Sequence, residues 1–161
     1  IEAAHAVEVY NHGCQVGADR AEGFWHLDRL LEEGRRLTIC ATDDAHFSEP
    51  DHFGGWTMVK AEANTPEALL AALKEGHSYA STGPEIHDVK WSPDEVTVRC
   101  SAAATVIVQG KGSAAVACHG NDMTEAVVPL ARFANSPWMR LTVVDRAGKR
   151  AWTNPVWKDA D

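Results

Sequence analysis

Asp44 and His46 stand two residues apart at the end of the run Arg36-Leu37-Thr38-Ile39-Cys40-Ala41-Thr42-Asp43-Asp44-Ala45-His46. A carboxylate and an imidazole at that spacing can converge on one divalent cation, supplying a hard oxygen and a borderline nitrogen. The same residues have a plainer use, with Asp43 and Asp44 capping the following loop and His46 bonding to backbone. A D-x-H pair is short enough to arise by chance, so on spacing alone both readings stand.

The element that must position the pair is a strand over Leu37 to Thr42. Leu37, Ile39 and Ala41 fall on one side, and Thr38, Cys40, Thr42 and, by continuation, Asp44 fall on the other. If the larger apolar side meets helices, Asp44 rather than Asp43 looks into a site at the C-terminal end of the strand, where α/β barrels place catalytic groups. Ala6-Val7-Glu8-Val9-Tyr10 reads as an earlier strand ending at Asn11. Asn11 is a candidate for positioning substrate or a metal-bound water, with a turn-forming Asn before Gly13 as the alternative. Glu8 and Tyr10 share a face. Glu8 is a candidate for orienting a ligand from behind, or is simply exposed.

A helix is expected near Ala21 to Glu33, stopped by Gly34 at a left-handed position. Phe24, Leu27, Asp28 and Leu31 follow helical spacing, which sets the Asp28 carboxylate in an apolar stripe where it needs a partner. That partner is either an Arg or Lys, or a metal-bound His that Asp28 would orient. Trp56 to Ala61 reads as a third strand. Thr65-Pro66-Glu67 then begins a helix with a capping hydroxyl, a proline at the first position and an acid at the positive end of the dipole. Leu69, Leu70 and Leu73 are its expected buried face, and Gly76 its end. Ser81 and Thr82 could touch an anionic substrate through hydroxyl and backbone donors; the alternative makes Ser81-Thr82-Gly83 a hinge. The remaining histidines show no ligand spacing with one another, although His12 and His52 lie near the expected site.

Alternating strand and helix imply a parallel sheet or barrel over residues 1–83, with too few units to close one. After Gly83-Pro84 the helical period disappears. Val96, Val98 and Cys100 alternate with polar residues, Val106 to Val108 and Leu141 to Val143 follow, and turns are expected at Ser92-Pro93-Asp94, Gly110-Lys111-Gly112, His119-Gly120-Asn121-Asp122 and Ala147-Gly148. Residues 84–161 therefore read as a small all-β sandwich. An exposed cluster of Trp91, Trp138 and Trp152 would mark that sandwich as a noncatalytic binding module for a partner or glycan; core packing is the default.

The net charge of −8 is unevenly placed, with 14 acidic and 6 basic residues over 1–83 and 9 of each over 84–161. An acidic surface disfavours nonspecific nucleic-acid binding and suits a small-molecule substrate. No stretch is long and apolar enough to cross a membrane. Sequence does not fix the compartment, though the cytoplasm is favoured. The four cysteines form no C-x-x-C pair, which excludes a zinc ribbon. Cys100 and Cys118 could pair only if the fold brings them together.

Several blocks in order carry a resemblance. Val7-Glu8-Val9-Tyr10-Asn11, Ala41-Thr42-Asp43-Asp44-Ala45-His46-Phe47, Phe53-Gly54-Gly55-Trp56-Thr57-Met58-Val59-Lys60-Ala61, Tyr79-Ala80-Ser81-Thr82-Gly83-Pro84-Glu85-Ile86 and Ala151-Trp152-Thr153-Asn154-Pro155-Val156-Trp157 together resemble the C-terminal part of PHP-domain (polymerase and histidinol phosphatase) metal-dependent phosphoesterases. The subgroup is the one that includes carbaryl-hydrolase-like enzymes. The resemblance implies part of a distorted β/α barrel followed by the sandwich, and divalent metal ions (Zn, Mn or Fe) held in part by Asp44 and His46. It implies hydrolysis of a small phosphate ester or related ester. The family's earlier HxH, Glu and His motifs have no counterpart here, so the chain, which opens at Ile1 without Met, is expected to be a fragment inactive alone. The missing ligands would come from an N-terminal barrel segment of the same protein, or from another copy. No residue is identified as the general acid.

Overall fold

The computed structural model describes residues 3–158. The chain divides into two compact units between Thr82 and Gly83. Among the described residues strand, mostly in open antiparallel sheet, accounts for 45% and helix for 19%.

In the first unit, β1 (Ala6–Asn11) runs parallel to β2 (Thr38–Thr42), with a register irregularity between Glu8 and Tyr10. Two helices lie between them in sequence, α1 (His12–Ala18) and α2 (Phe24–Glu32). Both strands follow the alternation of their side chains. Leu37, Ile39 and Ala41 are buried, while Thr38, Cys40 and Thr42 are half-buried. The second helix buries Leu27 and Leu31, and Gly34 follows it at φ +83°, the left-handed conformation expected of a helix stop. On the far edge of β2 the Thr57 hydroxyl takes the place of a neighbouring strand, accepting from Ala41 N and donating to Ala41 O at 2.9 Å each.

Two expectations fail here. The parallel arrangement stops at β2, because β3 (Trp56–Val59) and β4 (Ser78–Ser81) pair antiparallel although α3 (Pro66–Glu75) lies between them. The pairing runs on through a bond from Lys60 N to His77 O at 2.8 Å, which closes the strand–helix–strand segment on itself. The cap of α3 is as expected, with the Thr65 hydroxyl accepting from Ala68 N and Gly76 left-handed, but its buried residue is Ala72. Leu70 is 53% exposed, and Leu69 and Leu73 are half-buried. A helix touching its surroundings along so narrow a line buries the small residue at closest approach and leaves a flanking Leu outside.

In the second unit six antiparallel strands form one open sheet: β5 (Ile86–Trp91), β6 (Glu95–Gly110), β7 (Ala115–Pro129), β8 (Trp138–Val144), β9 (Arg150–Thr153) and β10 (Val156–Trp157). The order is β9-β8-β6-β5, with β7 also on β6 and β10 on β8. The segments Val96–Cys100 and Val106–Val108, which read as separate strands, are one 16-residue strand. Its first part pairs with β5, its last part with β8, and β7 runs along it with register irregularities between Arg99 and Thr105. The expected turn at His119–Asp122 lies instead within β7, opposite those irregularities, where Asp122 takes φ +51°. A bulge absorbs the turn-forming residues without reversing the strand.

Trp138 and Trp152 are 1% and 4% exposed and belong to this core, so no exposed platform forms from them. All four cysteines are free; the Cys100 thiol donates to Met123 O and the Cys118 thiol to Val127 O. Burial pushes the Cys100 thiol up from its usual range. No helix among the described residues is long and apolar enough to cross a membrane.

Candidate functional site

The C-terminal ends of β1 and β2 lie side by side because the strands are parallel, and Asn11 pairs in register with Thr42. A set of polar side chains joins them. Thr42 Oγ1 donates to Glu8 Oε1. Asn11 Nδ2 donates to Glu8 Oε2 at 3.2 Å and to Asp44 Oδ2 at 3.4 Å, and its Oδ1 accepts from Cys14 N at 2.8 Å. The last bond fixes which end of the amide is which. It also makes Asn11 the N-cap of α1, a role worth about 1 kcal/mol. Asn11 is 9% exposed. It is the turn-forming residue that one sequence reading expected, and it also donates to Asp44.

Asp44 does not continue the alternation of β2. The strand ends at Thr42, and Asp44 adopts φ +52°. It still faces the same end of the pair, because Gly13 N donates to Asp43 O at 2.8 Å and draws the Asp43-Asp44 backbone against α1. A Cβ on Gly13 would meet both Asp43 O and Asp44 O at 3.2 Å. Asp44 and His46 line one groove of about 350 Å³ with Gly13, Cys14, Glu49 and Asp51. Ser81 and Thr82 are buried at the end of β4 and do not line this groove. Asp28, half-buried on α2, does not line it either.

Two more carboxylates order the loop after β2: Asp51, which lines the groove and which the sequence did not single out, and Asp43, which does not line it and caps the loop as the plainer reading of the Asp43-Asp44 pair had it. Asp51, 5% exposed, accepts from His46 N at 2.7 Å and Phe47 N at 3.2 Å. These bonds, led by the His46 N–H, outweigh desolvation and hold its carboxyl below the usual range. Asp43 accepts from Phe53 N at 2.6 Å, Gly54 N at 2.9 Å and Gly55 N at 2.8 Å. Desolvation pushes this carboxyl up, but the three N–H donors and nearby His12 together bring it below the usual range. Rings cover the two glycines: a Cβ on Gly54 would sit 2.1 Å from the His12 ring, and one on Gly55 would sit 2.8 Å from Tyr10. Tyr10 Oη lies 3.2 Å from His12 Nδ1. Burial, then Asp43 and Glu22, push the Tyr10 phenol up. Cys40 on β2 is pushed up by burial and then by Glu8. The partners of Asp51 are backbone N–H groups, which leave no trace in side-chain spacing.

The donor chemistry of Asp44 and His46 suits a divalent cation, and as two donors they would supply part of a coordination shell that takes four or more. Among the described residues no group of three or more His, Cys, Asp or Glu side chains is arranged to hold a metal ion. Comparison with family profiles, with curated proteins and with solved structures finds no match for this chain.

Proposed function

We propose that this chain is part of a metal-dependent hydrolase acting on a small phosphate ester or related ester, with Asp44 and His46 as two of the ligands. The observation that carries the reading is the meeting of Asn11 and Asp44 at the C-terminal ends of two parallel strands, beside a groove that His46 also lines. Strand ends of this kind are where α/β folds place their chemistry. A divalent ion held in part by Asp44 and His46 would supply Lewis-acid chemistry for activating water and polarising a phosphoryl or acyl oxygen. The chain's own contribution is orientation. Asn11 holds the Asp44 carboxylate, Glu8 and the cap of α1 hold Asn11, and Asp51 holds the backbone of His46. Two donors do not complete a shell, so the reading places the others outside this sequence, in a PHP-type barrel for which residues 84–161 form an accessory β-sandwich. The excess of acidic residues in the groove's half favours a small substrate over a polynucleotide.

The test is metal content and p-nitrophenyl phosphate and ester hydrolysis of the full-length parent beside its Asp44→Ala/His46→Ala variant. The reading requires about two or three bound ions in the parent and loss of both metal and turnover in the variant. A parent without metal, or a variant that keeps metal and turnover, would make Asp44 and His46 structural.

A further inference from the structure

Five non-glycine residues among the described ones hold left-handed backbone, and three of them stand on the loop between β2 and β3: Asp44 at φ +52°, Phe47 at +58° and Phe53 at +57°. Aspartate tolerates that conformation, whereas a bulky side chain keeps it only where the surroundings impose it. Packing of the two rings does not impose it, since they are 78% and 85% exposed. The hold is on the backbone instead. Asp43 accepts from Phe53 N at 2.6 Å. Asp51 accepts from His46 N at 2.7 Å through Oδ2 and from Phe47 N at 3.2 Å through Oδ1. Of these two clamps, the one made by Asp51 grips a candidate metal ligand and the strained residue next to it. Asp44, His46 and Asp51 also line the same groove.

We propose that Asp51 is a positioning residue that couples the loop to the metal, holding His46 in its ligand-presenting place against the backbone strain at Phe47. The proposal rests on the hydrolase reading above and adds how that site is controlled. The loop has two arrangements. In the clamped one His46 shares the groove with Asp44; in the relaxed one Phe47 returns to ordinary backbone and carries His46 away. The left-handed conformation of a bulky residue favours the relaxed form by about tenfold or more. Hydrogen bonds to an ionised carboxylate oppose it by at least as much. A cation held by Asp44 and His46 fits only the clamped form, so by linkage whatever favours that form tightens the cation. Asp51 therefore acts on metal affinity through the backbone, with each of its oxygens engaged by one N–H group.

The experiment measures zinc affinity of the full-length parent by chelator competition, beside Asp51→Asn, Asp51→Asn/Phe47→Asn and Asp44→Ala/His46→Ala. Asparagine at 51 keeps the shape but removes the charge and one acceptor, and is expected to weaken zinc about tenfold. Asparagine at 47 tolerates left-handed backbone, and Phe47 does not line the groove, so adding Phe47→Asn should recover most of the loss. Loss without recovery would mean that the Asp51 charge acts on the ion through space, and overturns the positioning role. Unchanged affinity in Asp51→Asn overturns it too, whatever the melting temperature does. Should Asp51→Asn fail to fold, amide exchange in the parent decides. Saturating zinc should raise protection at His46 and Phe47 about tenfold or more, and no rise overturns the proposal. In each case, zinc binding that Asp44→Ala/His46→Ala abolishes leaves the hydrolase reading standing. A parent that binds no zinc, or an Asp44→Ala/His46→Ala variant that binds it as the parent does, removes both.

Discussion

The two units are of nearly equal length but spend their apolar residues differently. Among the described residues, sixteen apolar side chains are buried from Gly83 onward, and Val127 is the single large one left exposed. Before Gly83 nine are buried and six large ones are exposed: Val16, Trp25, Phe47, Phe53, Met58 and Leu70. The later unit is held by burial, with Val96, Val98, Val106, Val108, Leu141 and Val143 at alternate positions of long paired strands. The earlier unit is held around its groove by carboxylates accepting backbone N–H groups. Burial is indifferent to direction, whereas hydrogen bonds fix orientation. A region that must present particular atoms to a ligand gains from the second kind of support.

The sharpest way to break that contrast is to remove a ring from the later core. Phe133 is fully buried, and Phe133→Ala is expected to cost about 3–5 kcal/mol through lost transfer energy and the cavity left behind. Denaturant unfolding of the variant beside the parent measures it. A loss below about 1 kcal/mol would mean that this core relaxes around a void, and that its stability has another source.

How far the sequence made this contrast legible follows from the kind of support. The alternation over Leu37–Thr42, the parallel pairing of the first two strands, the cap at Thr65 and the stops at Gly34 and Gly76 were readable, because each depends on side-chain type at a local position. The helix α1 was missed. It has seven residues, two of them glycine, and no buried face to give a period, and its one signal was the capping Asn11. The joined strand β6 was read as two, since a bulge looks like a turn when only composition is visible. The position of Asp44 in the groove was reached by extending a strand that in fact ends at Thr42. The role of Asp51 was hidden because its partners are the backbone groups of His46 and Phe47, whereas the loop cap made by Asp43 was the plainer of the two readings of the Asp43–His46 run.

A smaller effect is expected at the glycines of the loop after β2. Gly54→Ala would drive its Cβ into the His12 ring, and the contact involves the root of the ring as well as its edge, so the whole side chain must move. Overpacking of this kind costs about 1–3 kcal/mol. Thermal unfolding of Gly54→Ala beside Gly54→Ala/His12→Ala separates a steric cost from a conformational one. Recovery of most of the loss in the double variant is the expected result. No recovery would place the penalty in the backbone of the loop, and would weaken the view that ring packing on Gly54 sets its course.

The smallest effect is confined to acid, and it bears directly on the contrast. Asp43 and Asp51 both have folded-state carboxyls below the usual range, Asp43 despite its desolvation and Asp51 chiefly through the His46 N–H. An unfolded Asp titrates near about 3.9. A group depressed in the folded state therefore contributes stability that is complete above that value and is lost as pH falls through the lower folded value. The loop should loosen only below about pH 4, and there before the later unit, whose core contains no comparable carboxylate clamp among the described residues. Amide exchange corrected for intrinsic rates reads this directly. Protection at Phe47, Phe53, Gly54 and Gly55 should fall across the acid limb while that at Val98 and Val108 stays level, and Asp43→Asn/Asp51→Asn should show low protection at the four loop positions at every pH. Equal loss in both regions would mean that the carboxylates hold the molecule as a whole, and the division between an oriented groove and a packed core would have to be given up.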